Sequence, residues 1–147
     1  MTKQTQNLVS LFFDQALRKV DAPFLWRKQD GAWQSVSWAE AAIQIGSLAE
    51  ALQKLGIQPG DRVGLVSESR PEWPIADLAI MAVRGITVPA YITNGIADHR
   101  HVLEDSGASA VIISTAALAE KVLPAAQEAG CVKFAITMEA VSDGKAA

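Results

Sequence analysis

The chain has 147 residues, of which half are hydrophobic and a fifth are charged, and its formal net charge is -3. This length fits one compact domain with a sizeable core, and the composition is ordinary for a globular protein. The negative charge excludes a sequence-independent nucleic-acid binder, because such proteins need clustered lysine and arginine to displace counterions.

The cysteine content and the apolar stretches indicate where the protein acts. A single cysteine, Cys131, excludes an internal disulfide, and the first residues lack the charged-then-apolar layout of a secretory leader. We therefore expect a cytoplasmic protein, with Cys131 as a small buried residue. The most apolar stretch, residues 75–92, contains two charged side chains and is broken by Gly85 and Pro89, so we expect no transmembrane segment.

The first elements predicted are a helix and a hairpin. Residues 8–20 place apolar side chains at helical spacing, directly after Asn7, a residue type that caps helices. Two short extended runs, residues 23–28 and 33–36, then flank an Asp-Gly pair, which is typical of a hairpin turn.

A long second helix is predicted after the hairpin. Ser37 and Glu40 have the spacing of a capping box, in which each side chain satisfies an otherwise unpaired backbone N–H. Apolar residues then recur every three or four positions up to Leu55, and Gly56 has the position of a left-handed C-terminal cap. This wide apolar stripe indicates a helix packed against a core.

From residue 62 onward, strands are predicted to alternate with helices. The expected strands cover residues 62–67, 86–90, 110–114 and 132–137. The expected helices cover residues 72–85, 96–106 and 116–129. Nearly continuous apolar strands between amphipathic helices predict a parallel sheet covered on both faces. The fold class is therefore α/β: a mostly parallel sheet flanked by helices, with an N-terminal helix and an antiparallel hairpin.

Two local features refine this prediction. Ser69 and Glu72 repeat the capping-box spacing, and Pro74 places the regular start of the following helix near Glu72 or Trp73, because proline removes a helical hydrogen bond. Residues 138–147 become small and polar, which predicts a flexible tail.

The usual phosphate-binding motifs are missing. The loop at residues 67–72 contains no glycine, whereas a dinucleotide site needs a G-x-G-x-x-G turn that lets the backbone approach the pyrophosphate. Two acidic side chains in that loop would also repel a phosphate. The Walker pattern is absent. Ser142-Asp143-Gly144-Lys145 has the composition of a phosphate loop, but no helix follows it, so we assign it to the tail.

The remaining chemical candidates are weak. His99 and His101 would point about 200° apart on a helix and could not bind one metal ion, so we expect both on a solvated helix face. Glu104 and Asp105 diverge in the same way, and no G-x-S-x-G turn exposes a serine nucleophile. The residues therefore predict no catalytic, cofactor-binding or metal-binding side chain in this chain.

Three tryptophans could stack on an aromatic ligand or pack in a core. Trp38 lies on the apolar stripe of the second helix, which favours core packing over ligand stacking. For Trp33, the neighbouring residues favour neither ligand stacking nor core packing. Trp73, between two prolines, could close one end of the sheet or face a partner domain, and both alternatives stay open.

Five segments resemble those of adenylate-forming enzymes, the AMP-dependent synthetase/ligase superfamily. Residues 38–40 resemble the tryptophan-x-glutamate start of an early helix, and residues 55–63 (LGIQPGDRV) resemble the L-G-(V/I)-x-x-G-D-x-V turn into a strand. Residues 67–73 (SESRPEW) are similar to the SENRPEW of long-chain acyl-CoA synthetases. Residues 85–91 (GITVPAY) resemble G-A-(V/I)-x-V-P-x-Y, and residues 103–108 (LEDSGA) resemble L-x-D-S-x-A.

This resemblance implies a two-step reaction for the parent enzyme. A carboxylate attacks the α-phosphate of ATP to give an acyl-adenylate, and the thiol of coenzyme A then displaces AMP to give a thioester, with Mg²⁺ offsetting phosphate charge. The runs Arg70-Pro71-Glu72-Trp73 and Tyr91-x-Thr93 resemble those of members that act on fatty acids, and they favour fatty-acyl substrates over aryl acids or amino acids. Peripheral association of such an enzyme with membranes is compatible with these substrates.

The residues that perform this chemistry in the family have no counterpart here. A Ser/Thr/Gly-rich loop ending in lysine, a metal-binding glutamate, a ribose-binding aspartate and a mobile C-terminal domain are all missing. The resemblance therefore implies that residues 1–147 are a single partial domain, part of the large N-terminal domain of acyl-CoA synthetases. We expect this portion to be inactive alone and to bind no ATP, Mg²⁺ or coenzyme A.

Two other interpretations stay open. The chain could be a stand-alone flavodoxin-like binding or interaction module without catalysis. Alternatively, an exposed sheet face and unpaired strand edges would favour self-association, so we expect a homodimer or oligomer.

Overall fold

The structure, a computed structural model, describes residues 7–141 and contains five helices and six strands in that range. In chain order they are α1 (Leu8–Lys19), β1 (Pro23–Gln29), β2 (Ala32–Ser37), α2 (Trp38–Lys54), β3 (Arg62–Val66), α3 (Glu72–Ala82), β4 (Ile86–Pro89), α4 (Ile96–Ser106), β5 (Ala110–Ile113), α5 (Ala116–Ala129) and β6 (Phe134–Thr137). The predicted elements are confirmed in type and order, with bounds that differ by three residues or fewer.

The four later strands form one parallel sheet in the order β4-β3-β5-β6. The chain leaves β3 toward one side to form β4, then crosses back over β3 to form β5 and β6. This is the strand order of flavodoxin-like doubly wound folds, and its topological switch point lies between β3 and β5. The α/β fold class is confirmed, and β1 and β2 form a separate antiparallel hairpin.

The pleat of the sheet divides the core into two clusters. Successive side chains on a strand point to opposite faces. The cluster on the side of α1, α2 and α3 receives from the central strands Val63, Leu65, Ala110 and Ile112. The cluster on the side of α4 and α5 receives Val66, Val111 and Ile113. Helices therefore cover both faces of the sheet, as the continuous apolar strands predict.

Aromatic side chains of α1, of β1 at the base of the hairpin and of α2 pack against one another. The ring of Phe12 lies 5.3 Å from that of Phe24 and 5.4 Å from that of Trp38, and the rings of Phe24 and Trp38 are 4.1 Å apart. The core position predicted for Trp38 is confirmed. On the side of α4 and α5, by contrast, the described core cluster contains only aliphatic side chains and alanines.

The hairpin and the start of α2 follow their predicted local chemistry. Asp30 and Gly31 have φ values of 50° and 79°, and two consecutive left-handed residues are what a type I′ hairpin turn requires. The Glu40 N–H donates to Ser37 Oγ at 3.1 Å, and the Ser37 N–H donates to Glu40 Oε2 at 2.7 Å. This reciprocal capping box is confirmed.

The capping box predicted for α3 is wrong. The helix begins at Glu72 with Pro71 at the N-cap, and no side chain caps it. The Glu72 carboxylate instead accepts a hydrogen bond from Arg70 Nε at 2.8 Å, which draws it away from the backbone. The predicted start at Glu72 is confirmed. Pro74 is tolerated because the first N–H groups of a helix have no helical partner.

Arg62, the first residue of β3, connects the sheet to the end of α4. Its Nε donates to the Ser106 carbonyl at 2.8 Å and its Nη2 donates to the Gly107 carbonyl at 3.2 Å. These carbonyls lie at a helix end, where they lack helical partners.

We expect Arg62→Met to lower the free energy of unfolding by about 2 kcal/mol, because hydrogen bonds from charged groups contribute about 1.5–3 kcal/mol. Urea denaturation at pH 7 measures this, and the exposed Arg18→Met is the control, expected within about 0.5 kcal/mol of wild type. Equal losses for both variants would contradict the bridging role.

Candidate functional site

The carboxyl ends of the parallel strands meet at one edge of the sheet, and the switch point between β3 and β5 lies there. In open α/β sheets, ligands bind in the crevice at this position. The loop that follows β3, residues 67–71, forms one wall of the crevice. The other wall is the pair Ser114 and Thr115, which follows β5.

Glu68 closes this crevice. The buried Ser114 donates its hydroxyl to the Glu68 carboxylate, across 46 residues of sequence. Thr115 beside it caps α5, accepting the Leu118 N–H at 3.2 Å. The hydrogen bond from Ser114 holds the pKa of Glu68 below its ordinary value, so this carboxylate is ionised at neutral pH. The crevice therefore presents a fixed negative charge.

Arg70 links the same loop to the end of β6. Its Nε donates to Glu72 at 2.8 Å and its Nη1 donates to Glu139 at 3.1 Å. The hydrogen bond to Glu72 is the main cause that raises the pKa of Arg70. Burial raises the pKa of Glu72, but the hydrogen bond and charge of Arg70, with the charge of Arg27, outweigh it, so the pKa lies below its ordinary value. The loops after β3, β5 and β6 thus form one hydrogen-bonded edge.

Two grooves flank the loop after β3. The first, of about 540 Å³, is lined by Trp26, Arg27, Lys28, Trp33, Glu68, Ser69, Arg70, Pro71, Glu72 and Thr115. The second, of about 410 Å³, is lined by Ser67, Glu68, Ser69, Trp73, Pro89, Ala90, Tyr91 and Ile92. Trp33 is 65% exposed on the hairpin. Trp73 is half-buried, packing against the core on one side and lining the second groove on the other.

Neither groove is lined by a glycine-rich phosphate-binding loop. The loop that both share, residues 67–71, has no glycine, which the dinucleotide-binding turn needs so that its backbone can approach the pyrophosphate. The loop carries the carboxylate of Glu68, and Glu72 follows it as the first residue of α3. The guanidinium of Arg70 is already bonded to two carboxylates. Within the described part of the chain there is also no group of three or more His, Cys, Asp or Glu side chains that could hold a metal ion.

His99 is buried, so the prediction of a solvated face is wrong for this residue. Its exposed fraction is 1%, whereas His101 is exposed. Burial, together with the positive charge of Lys121, lowers the pKa of His99, and the opposing effect of Asp98 is smaller. The sequence did contain a signal: His99 lies four residues before the buried Leu103, on the inward stripe of α4. The conclusion that the two histidines point apart holds.

The other sequence candidates lie apart from the edge described above. Cys131 is half-buried rather than buried, and its thiol donates to the Leu103 carbonyl at 3.3 Å. Glu104 and Asp105 are both exposed, and Glu104 pairs with Arg100 at 3.3 Å. The segment 142–145 lies outside the described residues.

We expect Ser114→Ala to destabilise the fold by about 1 kcal/mol at pH 7, because it removes a part-buried hydrogen bond to a charged group. The pKa of Glu68 is depressed in the folded state, so this stabilisation is present above the ordinary glutamate pKa and is lost as the pH falls through the folded-state value. Urea denaturation at pH 7 and at pH 3 measures both effects. The exposed Ser35→Ala is the control, and a pH-independent loss for Ser114→Ala would contradict the assignment.

The family of this chain follows from comparison with known sequences. A sequence profile of the AMP-binding enzyme family matches residues 12–147. The chain belongs to the AMP-binding enzyme family. It is 41% identical over 109 residues to the long-chain-fatty-acid–CoA ligase FadD15 of Mycobacterium tuberculosis, covering 74% of this chain and 18% of that protein. It is 33% identical over 93 residues to fatty acyl-CoA synthetase A of Dictyostelium discoideum, covering 63% of this chain and 14% of that protein.

Solved structures show the same fold. The coronafacic acid ligase of Pectobacterium brasiliense superposes with a TM-score of 0.86 at 15% identity, covering 95% of this chain and 27% of that one. The inhibitor-bound N-terminal domain of FACL13 from Mycobacterium tuberculosis gives 0.79 at 20% identity, covering 90% and 33%. The resemblance to adenylate-forming enzymes is confirmed, and the chain spans less than a fifth of the length of the curated AMP-binding relatives named above.

Proposed function

We propose that this chain is the N-terminal portion of a long-chain fatty acid–CoA ligase. The parent enzyme activates a fatty acid with ATP to an acyl-adenylate and then forms the thioester with coenzyme A. The 41% identity to FadD15 carries this proposal. The SESRPEW segment supports it, because its resemblance is to long-chain enzymes within the family.

Residues 1–147 act in this enzyme as scaffold, as a single partial domain without catalytic, cofactor-binding or metal-binding residues. This assignment is supported by the carboxyl edge of the sheet, where Glu68 is bonded to Ser114 and Arg70 is bonded to Glu72 and Glu139. Because these side chains already form hydrogen bonds with one another, they are not available to a ligand. The groups that bind ATP, Mg²⁺ and coenzyme A then come from the rest of the parent polypeptide. The portion is therefore inactive alone.

Isotope exchange between ATP and pyrophosphate tests both parts of the proposal. We expect no exchange with palmitate for the purified 147-residue chain, because it holds no triphosphate site. We expect exchange, followed by palmitoyl-CoA formation, for the parent polypeptide, with weaker activity on acetate and benzoate. Exchange by the chain alone contradicts the scaffold role, whereas a preference of the parent for acetate or benzoate contradicts the long-chain assignment.

We further propose that the parent enzyme is a cytoplasmic homo-oligomer. It is in peripheral contact with the membranes that hold its substrate. Among the described residues, no helix is both long and apolar enough to cross a membrane. Cell fractionation tests the location: a carbonate wash should release the enzyme from membranes, and retention after the wash would contradict peripheral contact.

A further inference from the structure

The helix α4 is attached to the rest of the protein by few buried side chains. Of its 11 residues, those described as buried are His99 and Leu103. They lie four positions apart and therefore on the same face of the helix. The core cluster on that side otherwise contains aliphatic side chains and alanines, most of them from β3, β5 and α5. One of the two side chains that anchor α4 is thus an ionisable imidazole.

The position of His99 does not favour an added proton. Its exposed fraction is 1%, and its Nε2 has no hydrogen-bond partner among the described residues. A protonated imidazole is a donor at both ring nitrogens, and a buried charge needs partners. His99 is also the fourth residue of α4, close to the helix N-terminus, where the helix dipole disfavours a positive charge.

Two charged groups act on the imidazole in addition to its burial. Lys121 of α5 lowers the pKa of His99, and Asp98 of α4 raises it by less. The Asp98 carboxylate already accepts the Gly95 N–H at 2.9 Å, as part of the cap of α4. The nearest element therefore contributes a repelling charge, and the nearest carboxylate is occupied by the backbone.

The other groups around the contact between α4 and α5 do not compensate a charge on His99. On the outer surface, Arg100 contacts Glu104 at 3.3 Å and Glu128 of α5 at 3.5 Å, so both glutamates have a cation of their own. On the inner side, β3 and β5 contribute the apolar side chains Val66, Val111 and Ile113. An imidazolium at this position is therefore more stable in water than in the folded contact.

The two ends of α4 are held differently. At the C-terminal end, Arg62 donates to the carbonyls of Ser106 and Gly107 and so connects the helix to β3. At the N-terminal end, the cap between Gly95 and Asp98 is local and makes no connection to the sheet. A charge on His99 thus acts on the end of the helix that lacks the arginine anchor.

We propose that His99 makes α4 acid-sensitive: when the imidazole gains a proton, the N-terminal half of α4 separates from the sheet and from α5, while Arg62 retains its C-terminal end. The separated state hydrates the imidazolium. Its population should therefore rise as the pH drops below the ordinary histidine pKa of about 6.5.

This inference does not depend on the proposed ligase activity or on polypeptide beyond residue 147. His99 is already buried by the residues that the structure describes. A failure of the inference would leave the ATP–pyrophosphate result untouched.

Hydrogen–deuterium exchange with mass spectrometry tests the proposal on the purified chain, with exchange times scaled so that intrinsic exchange at pH 7 and pH 5 is equal. We expect the protection of a peptide covering residues 96–103 to fall by about tenfold at pH 5, because this pH lies more than one unit below the ordinary histidine pKa. The helix α2 should stay protected over the same times, because opening of α4 does not require global unfolding. Unchanged protection of residues 96–103, or simultaneous exchange of α4 and α2, would overturn the proposal.

Four variants isolate the imidazole. His99→Leu should change α4 protection by less than about twofold between pH 7 and pH 5, whereas His101→Leu should behave like the wild type. Lys121→Glu should limit the loss to about threefold, because it replaces a repelling charge beside the imidazolium with an attracting one. Lys28→Glu, on the exposed hairpin, makes the same change in net charge and should keep the tenfold loss. Equal losses in the wild type and His99→Leu, or in Lys121→Glu and Lys28→Glu, would refute the role of His99.

Discussion

Gly64→Val is expected to lower the free energy of unfolding by about 3 kcal/mol, at the upper end of what overpacking a core costs. Gly64 lies in the middle of β3 and faces α4. A Cβ atom at this position would be 3.1 Å from Leu103 Cδ2 and 3.1 Å from Val111 Cγ2. Both neighbours belong to the buried cluster on that side, so they have little room to move. Urea denaturation of the purified chain measures the loss.

A matched pair of alanine variants isolates the steric cause. Gly64→Ala should destabilise the chain, whereas Gly46→Ala, in α2 with nothing within 4 Å of its Cβ position, should stabilise it by up to about 1 kcal/mol through helix propensity. Leu103→Ala should cost less in the Gly64→Val background than alone, because the shortened side chain makes room for valine. Additive losses would show that the close approach of α4 is not the cause.

His99→Leu is expected to raise the free energy of unfolding by about 1 kcal/mol at pH 7, because it removes a buried polar atom that lacks a partner. Within the described residues, His99 Nε2 has no hydrogen-bond partner. Leucine has a similar volume and needs none. Chemical denaturation followed by far-UV circular dichroism measures the gain, and His101→Leu on the exposed side of the same helix is the control, expected within about 0.5 kcal/mol of wild type.

The same variant should change the acid response. The pKa of His99 is lowered in the folded state, so the unfolded chain binds a proton at a higher pH than the folded chain does. Stability is therefore full above the ordinary histidine pKa of about 6.5 and falls as the pH drops below it. Between pH 7 and pH 5, the loss of stability should be smaller for His99→Leu than for wild type and for His101→Leu. Identical slopes for all three proteins would contradict a neutral buried imidazole.

Much of the fold could be predicted because its signals are local. The Ser37–Glu40 capping box, the Asp30–Gly31 turn and the alternation of apolar strands with amphipathic helices each depend on residues a few positions apart. These features determine the type and order of elements. The capping box predicted from Ser69 and Glu72 does not form. Arg70, which lies between them in sequence, gives Glu72 a stronger, charged hydrogen-bond partner than the backbone does.

The arrangement of the carboxyl edge could not be predicted in the same way. The hydrogen bond between Glu68 and Ser114 joins residues 46 positions apart, and that between Arg70 and Glu139 joins residues 69 positions apart. Both depend on the strand order, which periodicity does not determine. The burial of His99 follows from its position on the inward stripe of α4, which its polar chemistry does not indicate. The proposed function depends on the motif resemblance and on the 41% identity to FadD15.

The uneven distribution of aromatic rings determines what optical spectroscopy can detect. Phe12, Phe24 and Trp38 pack on the side of α1–α3, whereas the opposite core cluster is aliphatic in the described part of the chain. Indole emission and near-ultraviolet circular dichroism will therefore report on the packing of α1–α3. Both signals will change little when α4 and α5 loosen. A transition that is silent in fluorescence but visible in amide hydrogen exchange would locate the first opening of the chain in that optically silent layer.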